Sequence, residues 1–126
     1  MRREERLKES AQFRQVLSQR QSWANSLFAL KALPNQLPFN RYGLIVSRRV
    51  GSAVVRNRVK RLLREVIRMA PTKKGWDIVF IARKASADAD FNRVKEAVTS
   101  LFSQARIIAS QGLPAIQTID AEADRT

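Results

Sequence analysis

The sequence predicts a small single-domain α+β fold, and three observations carry that expectation. Two long segments repeat apolar residues at helical spacing, at Ala53 to Met69 and again beyond Asp90. Three shorter runs are mostly apolar and bounded by Gly, Pro or Asn, as strands are. The chain has 126 residues, of which 44% are hydrophobic, enough for one packed core and too few for two. The expected order is α-β-β-α-β-α, with helices packed against one central, mostly antiparallel sheet.

Each element has its own signal. Ser10 can cap a first helix that places Phe13, Val16 and Leu17 on one face. Leu27 to Leu33 is apolar and stops at Pro34-Asn35, so it reads as a first strand. Arg41 to Arg49 reads as a second strand, and the short connection predicts an antiparallel pair. Gly51-Ser52 then opens the strongest helix, with Ser52 as N-cap. Val55, Val59, Leu62, Leu63 and Val66 fall on one side, and Asn57, Lys60, Arg61, Arg64 and Arg68 on the other. Pro71 ends it. Trp76 to Arg83 is a third strand, apolar enough to be central. Asp88 or Asp90 can cap a last helix whose apolar stripe is Phe91, Val94, Val98, Leu101, Phe102 and Ala105. The domain is expected to span residues 1–110. Residues 111–126 lose periodicity, turn acidic and read as a flexible tail, with Leu113, Ile116 and Ile119 able to dock.

Composition removes whole classes of chemistry. There is no Cys, so disulfides, thiolate zinc sites and thiol catalysis are excluded. There is no His, so a Ser-His-Asp triad and an imidazole base or ligand are excluded too. No apolar run approaches the roughly 20 residues of a spanning helix. Met1-Arg2-Arg3-Glu4-Glu5-Arg6 is not followed by the apolar stretch of a secretory signal. A cytoplasmic protein with no membrane partner is expected.

The charge is concentrated. The chain carries +13 at neutral pH, and residues 41–68 alone hold nine basic groups against Glu65, a net +8. Like charges at this density repel unless an anion neutralises them, which points to nucleic acid. Within Ser47 to Glu65, a helix N-terminus offers N–H groups to phosphate. Arg56 and Arg58 can fork onto phosphate oxygens. Asn57 can reach a sugar hydroxyl, a base edge or a metal-bound water. Lys60, Arg61, Arg64 and Arg68 continue a cationic face at spacings of three and four.

This stretch, S-R-R-V-G-S-A-V-V-R-N-R-V-K-R-L-L-R-E, closely resembles the signature of the bacterial ribonuclease P protein family. Arg6-Leu7-Lys8 with Phe13 resembles the family's opening. Phe28-Ala29-Leu30 resembles its first strand, and Asp77-Ile78-Val79-Phe80-Ile81-Ala82-Arg83 its third. The resemblance implies a ribosomal protein S5 domain 2-like fold with a left-handed βαβ crossover, against the usual hand. It implies a protein subunit that joins a catalytic RNA, the complex removing the 5′ leader of precursor tRNA endonucleolytically. The RNA would hold the active site and most of the Mg²⁺, the protein strengthening substrate and metal binding. No obligate protein partner is implied.

Carried over by position, Arg48, Arg49, Arg56, Asn57, Arg58, Lys60, Arg61 and Arg64 are expected RNA contacts, and Arg68 extends them. Arg48 and Arg49 would end the second strand. Phe13, Leu17 and Lys31 would line the leader cleft. Phe13 there could stack a base, or it could be a core residue. Leu17 and Lys31 stand where relatives carry aromatics, which predicts weaker stacking. No catalytic residue and no metal ligand is expected within the chain. Its internal carboxylates, Glu65, Asp77, Asp88, Asp90 and Glu96, show no metal-site spacing. The competing expectations are an RNA-binding protein outside this enzyme, such as a ribosome-associated one, and a membrane-surface protein. The narrow core stripe without exposed Trp or Phe argues against the latter.

Overall fold

The structure is a computed structural model that describes residues 5–107. Its elements are α1 (Ser10–Leu17), β1 (Trp23–Ala24), β2 (Phe28–Pro34), β3 (Arg41–Ile45), α2 (Ala53–Met69), β4 (Trp76–Ala82), a 3₁₀ turn (Lys84–Asp88) and α3 (Phe91–Gln104). The α+β class and the helix and strand types follow the expectation, with two additions, β1 and the 3₁₀ turn. The expected tail, residues 111–126, lies outside the described residues, as do Leu113, Ile116 and Ile119.

Strand pairing departs from expectation. The sheet order is β1-β2-β4-β3, so β2 and β3 are not neighbours. Both pair with β4, β2 antiparallel from Phe28↔Ala82 to Pro34↔Trp76 and β3 parallel from Arg41↔Asp77 to Ile45↔Ile81. The reason is burial. Residues 77–80 of β4 are all buried, a condition met only with strands on both edges and helices on both faces. A β2–β3 hairpin would have left this most apolar strand at an edge. The sheet remains mostly antiparallel, and β3-α2-β4 forms its single parallel βαβ unit.

β3 ends at Ile45 because β4 ends one residue past their last pair. Arg48 and Arg49 therefore lie in a turn rather than closing the strand. There the Val50 N–H donates to Ser47 O at 3.0 Å and the Gly51 N–H to Arg48 O at 3.2 Å. Ser10 is the first residue of α1 and not its cap. The N-cap is Glu9, and Gln12 Oε1 reaches back to accept from the N–H groups of Lys8 (3.1 Å) and Glu9 (3.3 Å). For α3 the cap is Asp90, whose Oδ1 accepts from Arg93 N–H at 2.9 Å. Asp88 instead ends the 3₁₀ turn.

The sheet separates two apolar clusters. One lies under α2 and α3, with Val59, Leu63, Val66, Ile67, Val94, Val98, Leu101 and Phe102 buried on Leu30, Ile78 and Phe80. Phe80 meets Phe28 and Phe102 edge-to-face, with ring centroids 6.3 and 5.5 Å away. The other is smaller: Leu7, Val16 and Val79, with Phe13, Leu17, Leu33, Ile45 and Ile81 half-buried around them. Among the described residues no helix is long and apolar enough to cross a membrane.

Candidate nucleic-acid interface

Ser52 starts α2 as expected, its Oγ accepting from Val55 N–H at 3.3 Å. With Val59, Leu63, Val66 and Ile67 turned to the core, the polar residues are forced outward. Asn57, Arg61 and Arg68 are exposed, and Arg56, Arg58, Lys60 and Arg64 half-buried.

The structure divides the expected contacts into two groups. Among the described residues, the side chains of Arg48, Arg49, Asn57, Lys60, Arg61 and Arg64 make no hydrogen bond or ion pair. The five cations among them have no counter-ion among the described residues. The rest are engaged. Arg56 donates through Nε to Gly51 O at 3.2 Å, which leaves its two terminal nitrogens available. Arg68 pairs with Glu65 at 2.8 Å in an exposed bridge of small net value. Arg58 donates through both terminal nitrogens, to Ala87 O at 2.9 Å and Ala89 O at 2.7 Å.

Phe13 lies against Gly43 of β3. A Cβ at residue 43 would come within 2.6 Å of Phe13 Cζ and 3.2 Å of Leu7 Cδ1, so the bare glycine backbone lets the ring settle on the strand. Beside the ring is a cleft of about 150 Å³, bounded by Arg6, Leu7, Phe13, Leu44, Lys60 and Arg64 among others. Arg6 and Leu7 are held there because the N-terminal segment bridges to Tyr42, with Leu7 N–H donating to Tyr42 O at 2.9 Å. The half-buried ring of Phe13 and the cations of α2 thus meet across edge strand β3. Nothing in their spacing of about 50 residues announces this.

Leu17 and Lys31 lie outside the lining of this cleft. Leu17 packs in the smaller cluster. Lys31 Nζ donates to Leu17 O at 3.0 Å and Gln19 O at 2.6 Å. Its ammonium therefore satisfies carbonyls at the C-terminus of α1, where a cation also complements the helix dipole.

Arg6, Leu7 and Gly43 were not picked out as cleft residues from the sequence. The available signal was Gly43, an isolated glycine inside a strand, which often marks close backbone approach. Also unforeseen is the pairing of Arg41 with Asp77. Arg41 Nε and Nη2 donate to the two Asp77 oxygens at 2.8 and 2.7 Å, and Asn35 Nδ2 donates to Oδ1 at 2.8 Å. The hydrogen bond to Asp77 raises the Arg41 pKa from its ordinary value, against the opposing effect of burial. With Asp77 so engaged, Asp90 capping and Glu65 paired, no cluster of three metal-ligating side chains exists among the described residues. These residues do not fit a protein-held Mg²⁺.

Fold and site together define a class: a small α+β domain with an outward cationic helix beside an aromatic cleft on an edge strand. A sequence model of the ribonuclease P family matches residues 1–106. The chain is 41% identical over 109 residues to the ribonuclease P protein component of Dehalococcoides mccartyi strain CBDB1, covering 86% of this chain and 91% of that protein. It is 40% identical over 107 residues to that of Alkaliphilus oremlandii, covering 83% and 94%. The ribonuclease P protein of Thermotoga maritima superposes with a TM-score of 0.73 at 32% identity, covering 83% of this chain and 99% of that one. The Staphylococcus aureus protein superposes at 0.75 and 27%, covering 83% and 98%. The chain belongs to the ribonuclease P protein component family.

Proposed function

We propose that this chain is the RNA-binding protein subunit of a cytoplasmic ribonuclease P, binding both a catalytic RNA and the 5′ leader of precursor tRNA. The observation that carries the reading is the cleft in which Phe13 lies beside Arg6, Lys60 and Arg64. An aromatic face next to backbone-tracking cations is what a single strand needs: stacking for a base and charge for its phosphates. The turn of Arg48 and Arg49 and the exposed face of Asn57 and Arg61 extend the cationic surface for a folded RNA. Arg56 adds its terminal nitrogens.

Catalysis falls to the RNA in this reading. Phosphodiester hydrolysis without His calls for clustered carboxylates holding Mg²⁺, whereas Asp90 serves as a helix cap and Asp77 and Glu65 are held in ion pairs. Mg²⁺ would be bound mainly by the RNA. The protein would contribute by neutralising phosphate repulsion, so that substrate and metal bind at lower Mg²⁺.

Reconstitution tests this. The purified chain is mixed with a bacterial ribonuclease P RNA at low Mg²⁺, and release of the 5′ leader is followed. Restored cleavage, with none by the protein alone, is expected. Tight RNA binding without restored cleavage would replace this reading with that of an RNA-binding protein outside the enzyme.

A further inference from the structure

Arg58 stands in the middle of the cationic stretch, yet its guanidinium points inward. Its two terminal nitrogens each donate to a carbonyl of the 84–89 segment, Ala87 O and Ala89 O. Ala89 is fully buried, so its carbonyl has little water to fall back on if the arginine leaves. The same segment is closed by Ser86, a buried serine whose Oγ donates to Arg83 O at 2.7 Å. Ser86 N–H donates to Arg83 O, and Ala89 N–H to Ser86 O. The segment leads directly into Asp90 and α3.

We propose that Arg58 is a positioning residue and not a phosphate contact: it clamps the 3₁₀ turn between β4 and α3 against α2, and supports RNA binding through the placement of that turn. The turn begins at the exposed pair Arg83-Lys84. Clamping therefore sets two further cations in fixed relation to Asn57 and Arg61. The planar fork meets the two carbonyls with two separate nitrogens. A lysine would have to reach both from one nitrogen, as Lys31 does at the end of α1, and the positions held by the two Arg58 nitrogens do not coincide in one atom. Swinging the guanidinium onto a phosphate would orphan both carbonyls, so the latch stays closed in the complex.

The proposal rests on the RNA-binding reading, and its test separates the two. The full chain is titrated with a bacterial ribonuclease P RNA over a KCl series, and amide exchange of Ser86 and Ala89 is measured in the free protein. Replacing a true phosphate contact lowers the slope of log affinity against log salt by about 0.7–0.9. That loss is expected for Arg61→Met. For Arg58→Met the slope stays that of the wild type, affinity falls about tenfold at every salt concentration, and both amides exchange faster. Arg58→Lys retains the charge and does not rescue affinity. Ser86→Ala loosens the turn without touching a charge, and is expected to weaken binding at unchanged slope. A slope drop in Arg58→Met matching Arg61→Met, with the amides still protected, would overturn the proposal. So would wild-type affinity in Ser86→Ala or Arg58→Lys once their amides exchange faster. A wild-type chain that binds no RNA would defeat the functional reading, while the exchange data would still judge the latch.

Discussion

Substituting Gly43 by Ala tests the cleft at its tightest point. The added methyl would sit 2.6 Å from Phe13 Cζ and 3.2 Å from Leu7 Cδ1, against an optimum of about 3.5–4.0 Å for carbon pairs. The ring must therefore move by roughly 1 Å or more. Phe13 is half-buried and can swing outward without pushing the backbone, which places the clash toward the lower end of overpacking costs, about 1–2 kcal/mol. Opposing it, Ala in a strand interior is better than Gly by about 0.5–1 kcal/mol. The net destabilisation in the wild-type background is about 1 kcal/mol. In a Phe13→Ala background the main clash is gone, and the same substitution becomes neutral or stabilising by about 0.5 kcal/mol. The cycle thus has a coupling of about 1–2 kcal/mol and a change of sign. Urea unfolding of the four proteins measures it through the shift in midpoint at constant slope. The functional counterpart is leader recognition. Displacing the ring should lower the preference for precursor over mature tRNA by an amount in the range of one base stack, about 1–3 kcal/mol. Equal destabilisation by Gly43→Ala in both backgrounds would refute the contact on which the cleft is built.

Other outcomes follow from the same coordinates. Asp77→Ala strands Arg41, whose side chain is 23% exposed beside a carboxylate that is 6% exposed. The cost is expected at about 2–3 kcal/mol, below that of a fully buried pair, and appears as a melting-temperature drop of about 10–20 °C by circular dichroism. Lys31→Met removes the donor to Leu17 O and Gln19 O. Amides of the last turn of α1 should exchange faster, with a stability loss of about 1–2 kcal/mol; unchanged exchange would show the ammonium to be idle. Arg61→Ala together with Arg64→Ala should reduce the salt slope of RNA binding by nearly twice the single-site value of about 0.7–0.9. By contrast Arg68→Ala, already paired with Glu65 at the surface, should alter stability by less than about 0.5 kcal/mol.

Several features could be read from residue order because their causes are local. The amphipathic period of Ala53 to Met69, the Ser52 cap and the stop at Pro71 depend on neighbours within a few positions. The mostly apolar run of Trp76 to Ala82 marked the central strand for the same reason. The concentration of charge in residues 41–68 is a property of composition, and it marks the cationic helix without reference to the fold. Family membership was legible in the long strand-turn-helix signature.

What required the tertiary structure was every relation between distant segments. Proximity in sequence suggested a β2–β3 pair, but burial of β4 on both faces placed it between them. The roles of the cations were equally hidden. Helical periodicity shows which side of α2 a residue leaves from, and it cannot show what a long, flexible side chain then meets. Arg58 and Arg61 are alike in sequence; one holds two carbonyls of a turn some 30 residues away, and the other faces outward. Lys31 alternates onto the α1 face by strand period, but only packing brings carbonyls of Leu17 and Gln19 to it. The chain's own order determined which segments would be helix or strand and where positive charge would gather, because those follow from short-range sterics and composition. Packing decided which cations remain outward and that they share a cleft with Phe13, because that depends on satisfying buried carbonyls and apolar faces across the whole domain at once.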